Sequence, residues 1–268
     1  MCIAIYKPEN RVLLKRVLKN CFLHHHHGAG YVMHNARKRT LTLHKGFFSF
    51  NSLWNSIKDN QNNKMIVHFR WATHGEHNKE NCHPFMVNDK LAFAHNGVIR
   101  NVKIWDKTLS DTWHFCEAIL KPLISKYPDI WKEEIILDLL KDYIGANSKL
   151  IFLNNLGEYK IVNAGAGEWS DECWFSNNSY GVEITKKREK KETNVTVGAG
   201  LHSANGYNYG HYNISPATVH PKSKTIDADL KNFYKNKDRS HNEMLVETLF
   251  KECHEEENVY ARTSMWGG

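Results

Sequence analysis

Large apolar residues recur at every second position near the start of the chain. Ile3 and Ile5, with Tyr6 beside them, show the two-residue period of a β-strand. Over residues 11–22 the period lengthens. Leu14, Val17, Leu18 and Cys21 share one face with lysines and arginines opposite, which predicts an amphipathic helix packed on a sheet. Residues 31–34 and 40–45 predict two short strands around the basic turn Ala36-Arg37-Lys38-Arg39, whose charges suit a solvated hairpin tip. Residues 51–59, with Leu53, Trp54 and Ile57 at helical spacing, predict a second helix ended by the Asn-rich segment 60–63. Met65, Ile66 and Val67 then predict a buried strand. A long helix is expected over 111–126 with Phe115, Ile119, Leu123 and Trp113 as inward candidates, and another over 131–144 closed by Gly145. Residues 149–154 and 158–163 predict a hairpin over Asn155-Leu156-Gly157, and 168–176 a further strand. Helices and strands in separate blocks joined by hairpins point to an α+β layered sandwich.

Composition narrows the class. A chain of 268 residues with 41% hydrophobic content can bury one substantial core. No run approaches the ~18 apolar residues of a membrane span and the start does not read as a secretory signal, so a soluble, cytoplasmic protein without a membrane partner is expected. The six cysteines, at 2, 21, 82, 116, 173 and 253, include no C-x-x-C pair, which favours reduced thiols over a disulfide framework. The formal net charge of +7 helps anionic partners approach and identifies no nucleic-acid site. The charge run Lys186-Lys187-Arg188-Glu189-Lys190-Lys191 reads as a solvated linker. It divides a domain over 1–185 from a loop-rich C-terminal extension over 186–268 with no assigned role. Tyrosines in the 205–213 segment match no binding module, so no nucleic-acid partner is expected. Residues 242–257, with Leu245, Leu249 and Cys253 at four-residue spacing, predict a helix that docks on the domain or forms a homo-oligomer.

Candidate chemistry begins at Cys2. If Met1 is removed, one residue carries both a nucleophile and a base: an α-amino group titrates near ~8 and a thiol near ~8.5, so the amine can take the thiol proton. The bland alternative is a small residue tolerated after Met. The run His24-His25-His26-His27 invites a metal, since imidazole is a common ligand. Adjacent residues on an extended chain point to opposite sides and rarely close a tetrahedral site, so no metal is expected.

Four further segments follow Cys2 in order: His68-Phe69-Arg70-Trp71-Ala72-Thr73-His74-Gly75, Asn81-Cys82-His83-Pro84-Phe85, His95-Asn96-Gly97-Val98-Ile99 and Ser110-Asp111-Thr112. In this ordered set the chain resembles the class II glutamine amidotransferases, a family of amino-terminal-nucleophile (Ntn) hydrolases. The agreement spans roughly the first two-thirds of the chain, and ordered motifs are far harder to meet by accident than any one of them. The resemblance implies a four-layer αββα sandwich, which the pattern permits and periodicity alone would not select. It also implies glutamine as substrate, an N-terminal Cys thioester, no cofactor, and ammonia released to a partner enzyme.

The same resemblance assigns roles. Arg70 would hold the substrate carboxylate bidentately, and Asp111 its α-ammonium. The Asn96 side-chain amide and the Gly97 N–H would form the oxyanion hole. Trp71, Thr73 and His74 lie on the segment that would close over glutamine. Several have a plainer alternative: Asp111 as part of a helix cap, Asn96-Gly97 as a type I′ turn, Trp71 as a core side chain, and His74, like His83, as a structural hydrogen-bonder. The chain departs from the family where members carry an Arg and an Asp before a small-residue turn. Here histidines precede Gly28-Ala29-Gly30, and Ile3 stands where many members have Gly. Two rival functions stay open, an N-terminal-Cys amidase acting on another amide and a non-catalytic binding protein that keeps the fold.

Overall fold

In chain order the computed structural model, which describes residues 2–181, runs through β1 (Ile3–Lys7), α1 (Lys15–His24), β2 (Ala29–Asn35), β3 (Thr40–Phe47), α2 (Phe50–Ile57) and β4 (Lys64–Phe69). It continues with β5 (Phe85–Met86), β6 (Leu91–Asn96), α3 (Asp111–Phe115), α4 (Lys121–Lys126) and α5 (Glu134–Ile144). Last come β7 (Lys149–Asn154), β8 (Tyr159–Val162), β9 (Glu168–Ser170) and β10 (Cys173–Phe175). The expected linker at 186–191, the extension over 186–268, its 205–213 and 242–257 segments and Cys253 lie outside the described residues.

Two antiparallel sheets form, one ordered β3-β2-β4-β1-β10-β9 and the other β5-β6-β7-β8. Ala4, Tyr6, Val32, Ile66 and Trp174 of the first pack on Ala92, Ala94, Ile151 and Leu153 of the second. The opposite face of the first sheet, including Ile3, Ile5, Tyr31, Val67 and Phe69, buries Leu18 and Cys21 of α1 and Leu53 and Ile57 of α2. Beyond the second sheet, Phe93 meets Phe115 of α3 at 6.2 Å and Phe152 meets Trp131 at 6.0 Å. Helix, sheet, sheet, helix is the resulting stack, the layering that the resemblance implied. All of β1 is buried, with alternate residues feeding the two cores. Each fully buried isoleucine there contributes about 1.5–3 kcal/mol, which fixes the strand that carries Cys2.

Several elements differ from expectation for identifiable reasons. The first helix starts at Lys15, since the Gln61 side chain accepts the Leu13 N–H at 3.1 Å and Leu14 is extended, at φ −59 and ψ 140. Leu14 is therefore 51% exposed, and Leu13 enters the core in its place. Residues 116–120 form a π turn before Lys121-Pro122, where the proline has no N–H to give the helix ladder. The wider turn shifts the apolar stripe by one residue. Phe115, Cys116, Leu120 and Ile124 are buried, while Trp113, Ile119 and Leu123 are only half-buried. The strand expected over 168–176 is instead the hairpin β9–β10, turned at Asp171 and Glu172 with φ of 48 and 62. Residues 130–132 form a separate 3-10 turn ahead of α5. Strands β5 and β6 were not expected. Among the described residues no helix is long and apolar enough to cross a membrane.

Candidate active site

Sheet register decides what surrounds Cys2. Ile3 pairs with Phe69, so the residue before β1 lies against the residues that leave β4. The Trp71 N–H donates to Cys2 Sγ at 3.3 Å, and the thiol lies 3.5 Å from the Trp71 carbonyl oxygen. Cys2 is half-buried. Burial pushes its thiol up, while the Trp71 N–H bond and the Arg70 charge pull it down. From the other side Asn177 Nδ2 donates to the Cys2 carbonyl at 2.8 Å.

One cleft is lined by Cys2, Arg70, Trp71, Thr73, His74, Gly97 and Asp111. Of the predicted site residues, only Asn96 is missing from that lining; it is 1% exposed and precedes Gly97 at the end of β6. Arg70 is 3% exposed and donates to the carbonyls of His74 at 2.6 Å and Glu76 at 2.7 Å. It thus shapes the 74–76 loop, and its guanidinium has further N–H groups to offer a ligand. Asp111 opens α3 while Ser110 caps it, accepting the Trp113 N–H at 3.1 Å. The Asp111 carboxylate accepts N–H bonds from Ile99 at 2.7 Å and Thr112 at 2.8 Å. Cleft lining and local structural roles therefore coexist at Asp111. Thr73 and His74 are exposed and bond each other at 3.2 Å. Trp71 is 40% exposed and so is no core side chain.

Sequence reading missed the residues that brace this cleft. Asn81 is fully buried and joins the loop to α3: its amide donates to the carbonyls of Glu76 and Thr108 and accepts the Ser110 N–H at 2.8 Å. Its place in the Asn-x-His-Pro motif was the available signal. His27, in the histidine run before Gly28, accepts the Ala72 N–H at 3.0 Å. Its ring stacks on Trp71 at 4.5 Å and on His77 at 4.0 Å, so both ends of the loop meet it. His25 bonds Ser179. Among the described residues no group of three or more His, Cys, Asp or Glu is gathered as a metal site requires.

Three buried histidines cluster at the cleft, and two of them, His83 and His95, form part of its lining. His68 stacks on His83 at 4.1 Å, His68 Nε2 bonds the His95 carbonyl at 3.1 Å, and the His95 N–H donates to His83 Nδ1 at 3.2 Å. An acceptor Nδ1 requires the neutral ring at His83. Burial lowers His95 to about 4 and holds His68 and His83 well below the usual imidazole range. Below pH ~6.5 the unfolded chain takes up protons that the folded one refuses, so stability must fall as the pH drops. For His95 the loss develops between about 6.5 and 4 and reaches about 3 kcal/mol. Urea midpoints at pH 7.5 and 4.5 measure it, and His95→Asn should reduce the difference while His68 and His83 keep the rest.

Comparison with known proteins matches residues 23–154 to the model of the class-II glutamine amidotransferases. Glutamine–fructose-6-phosphate aminotransferase (isomerizing) of Thermotoga maritima is 33% identical over 102 residues, which is 37% of this chain and 16% of that enzyme. The enzyme of the same name from Photorhabdus laumondii is 58% identical over 36 residues, 13% of this chain and 6% of the relative. The chain thus matches only a small part of the length of these relatives. Among solved structures, glutamine phosphoribosylpyrophosphate amidotransferase from B. subtilis aligns at 18% identity with a TM-score of 0.39, covering 65% of this chain and 40% of that one. Over residues 23–154 this chain is similar to the class-II glutamine amidotransferases.

Proposed function

We propose that residues 1–185 form a glutamine-hydrolysing unit that passes ammonia to an acceptor enzyme. The reading is carried by one observation: a sulfur, a buried guanidinium, a carboxylate and a turn glycine line the same cleft. Those groups match the demands of a free amino acid with a side-chain amide. Arg70 takes the α-carboxylate, Asp111 the α-ammonium, and Trp71, Thr73 and His74 cover the bound molecule.

The chemistry starts with removal of Met1. The freed amine of Cys2 accepts the thiol proton, and the thiolate attacks the amide carbon of glutamine. Negative charge moves to the amide oxygen, where the Gly97 N–H and the Asn96 side-chain amide stabilise it. The ammonium of Cys2 returns the proton to the departing nitrogen, the C–N bond breaks, and ammonia leaves a γ-glutamyl thioester. Water, deprotonated by the same amine, cleaves the thioester to glutamate and restores the thiol. The relatives' names give glutamine and fructose-6-phosphate together. Only the glutamine half is proposed for this cleft.

The test is ammonia release from glutamine by protein whose intact mass shows loss of Met1. Glutamine should be hydrolysed, while glutamine blocked at its α-amine or α-carboxylate should not. Equal turnover of the blocked amides would favour a general amidase. No release, together with no alkylation of Cys2 by a glutamine-analogue chloroketone, would leave a binding protein.

A further inference from the structure

Ser176 follows β10 and is fully buried between the two halves of the site. Its Oγ accepts the Ala4 N–H at 2.9 Å, and its own N–H donates to the Ala4 carbonyl at 2.9 Å, which fixes it to the strand carrying Cys2. Across the inter-sheet gap the same Oγ lies 2.6 Å from the Asn96 side-chain amide. The next residue, Asn177, holds the Cys2 carbonyl. The end of β10 therefore touches the backbone of the proposed nucleophile and the side chain of a proposed oxyanion donor.

Proton accounting decides what passes between Ser176 and Asn96. With Nδ2 facing Ser176, the hydroxyl hydrogen has no acceptor and Asn96 Oδ1 is a buried oxygen without a partner. Oxygen and nitrogen of an amide are told apart only by their partners. With the amide turned over, the Ser176 O–H donates to Asn96 Oδ1, and both oxygens are satisfied. The atom left over is then Nδ2, a buried donor on the residue that precedes Gly97 of the cleft lining. Buried oxygens without partners are costly, so the second arrangement is favoured.

We infer that Ser176 is a positioning residue for the oxyanion hole: its hydroxyl donates to Asn96 Oδ1, turns Nδ2 toward the substrate amide oxygen, and ties that donor to the strand bearing Cys2. This rests on the glutamine-hydrolysis reading. A donor useful mainly in the transition state affects kcat and leaves ground-state binding alone.

Met1-free wild type, Ser176→Ala and Ser176→Cys are compared for glutamine hydrolysis and for inhibition by the γ-aldehyde analogue of glutamine. That aldehyde forms a tetrahedral adduct with a thiolate and therefore reports on the oxyanion hole. Ser176→Ala is expected to lower kcat by about 10- to 100-fold, short of the loss of a whole donor. The KM for glutamine and inhibition by glutamate should stay within about threefold, and aldehyde affinity should fall in parallel with kcat/KM. If Ser176→Ala does not fold, Ser176→Cys serves, since its thiol is a weak donor and should give an intermediate loss. Parallel losses in kcat and in glutamate binding, or wild-type aldehyde affinity in the variants, would overturn the positioning role. An inactive wild type would overturn the glutamine reading itself.

Discussion

Replacing Cys2 by alanine in the Met1-free protein is expected to lower glutamine hydrolysis on the order of 10³-fold or more, since loss of a covalent nucleophile leaves only binding and oxyanion stabilisation. Serine at the same place should rescue little. Its hydroxyl is a far weaker acid than a thiol, and the amine that must deprotonate it is no stronger. The fold should not notice either change: Cys2 Sγ meets the Trp71 backbone at 3.3 Å on a half-buried surface, and the core of β1 begins at Ile3. Thermal midpoints within a few degrees of wild type, with ammonia release gone, would separate a chemical role from a structural one. With Met1 attached, the amine is one residue removed from the thiol. Burial then raises the thiol without a matched base beside it, so the untrimmed wild type should be nearly as inactive as Cys2→Ala. A Cys2→Ala protein that keeps a tenth of the wild-type rate would remove the nucleophile from the account.

What could be read from the chain before its coordinates divides along a physical line. Motif residues with unusual chemistry announced themselves: Arg70, Asn96-Gly97 and Asp111 stood in segments whose order limits coincidence, and the structure gathers them at one cleft or at its margin. Strands such as β1 and β7 were legible as short apolar runs, because a strand covered on both faces is buried at every position. Register was not legible. Nothing local to Ile3 says that it pairs with Phe69, yet that pairing brings Cys2 to Trp71. Ser176 shows the same limit. It is a common residue type, eighty positions from Asn96, and acquires meaning only when two sheets close on each other. The π turn at 116–120 escaped because an apolar stripe tolerates a one-residue slip without changing its composition. His27 was visible as a departure from the family. Its stacking between Trp71 and His77 was not, since it brings His27 against both ends of a loop more than forty residues further along the chain.

Gly97→Ala should damage both stability and catalysis. The glycine has φ +153, a conformation that L side chains rarely adopt, and a methyl placed there would lie 2.2 Å from Ser148 Oγ, 2.7 Å from its Cβ and 2.8 Å from its Cα. The hydroxyl could rotate away, but the Ser148 backbone belongs to the segment that starts β7. The end of β6 must therefore move off its neighbour, breaking the Asn96–Lys149 pairing that ends the β6–β7 ladder. Such a forced backbone shift is expected to cost about 2–4 kcal/mol, measured by urea unfolding. Because the same shift carries the Gly97 N–H and the Asn96 amide away from the substrate oxygen, kcat should fall about 100-fold or more. Adding Ser148→Gly would remove the side-chain clashes and leave the backbone clash and the φ penalty, so only part of the stability should return. Gly165→Ala is the control: nothing lies within 4 Å of a methyl there, and stability should stay within about 0.5 kcal/mol of wild type. A Gly97→Ala protein as stable and active as wild type would mean that the turn does not hold an oxyanion donor, and the hole would have to be sought elsewhere along the cleft.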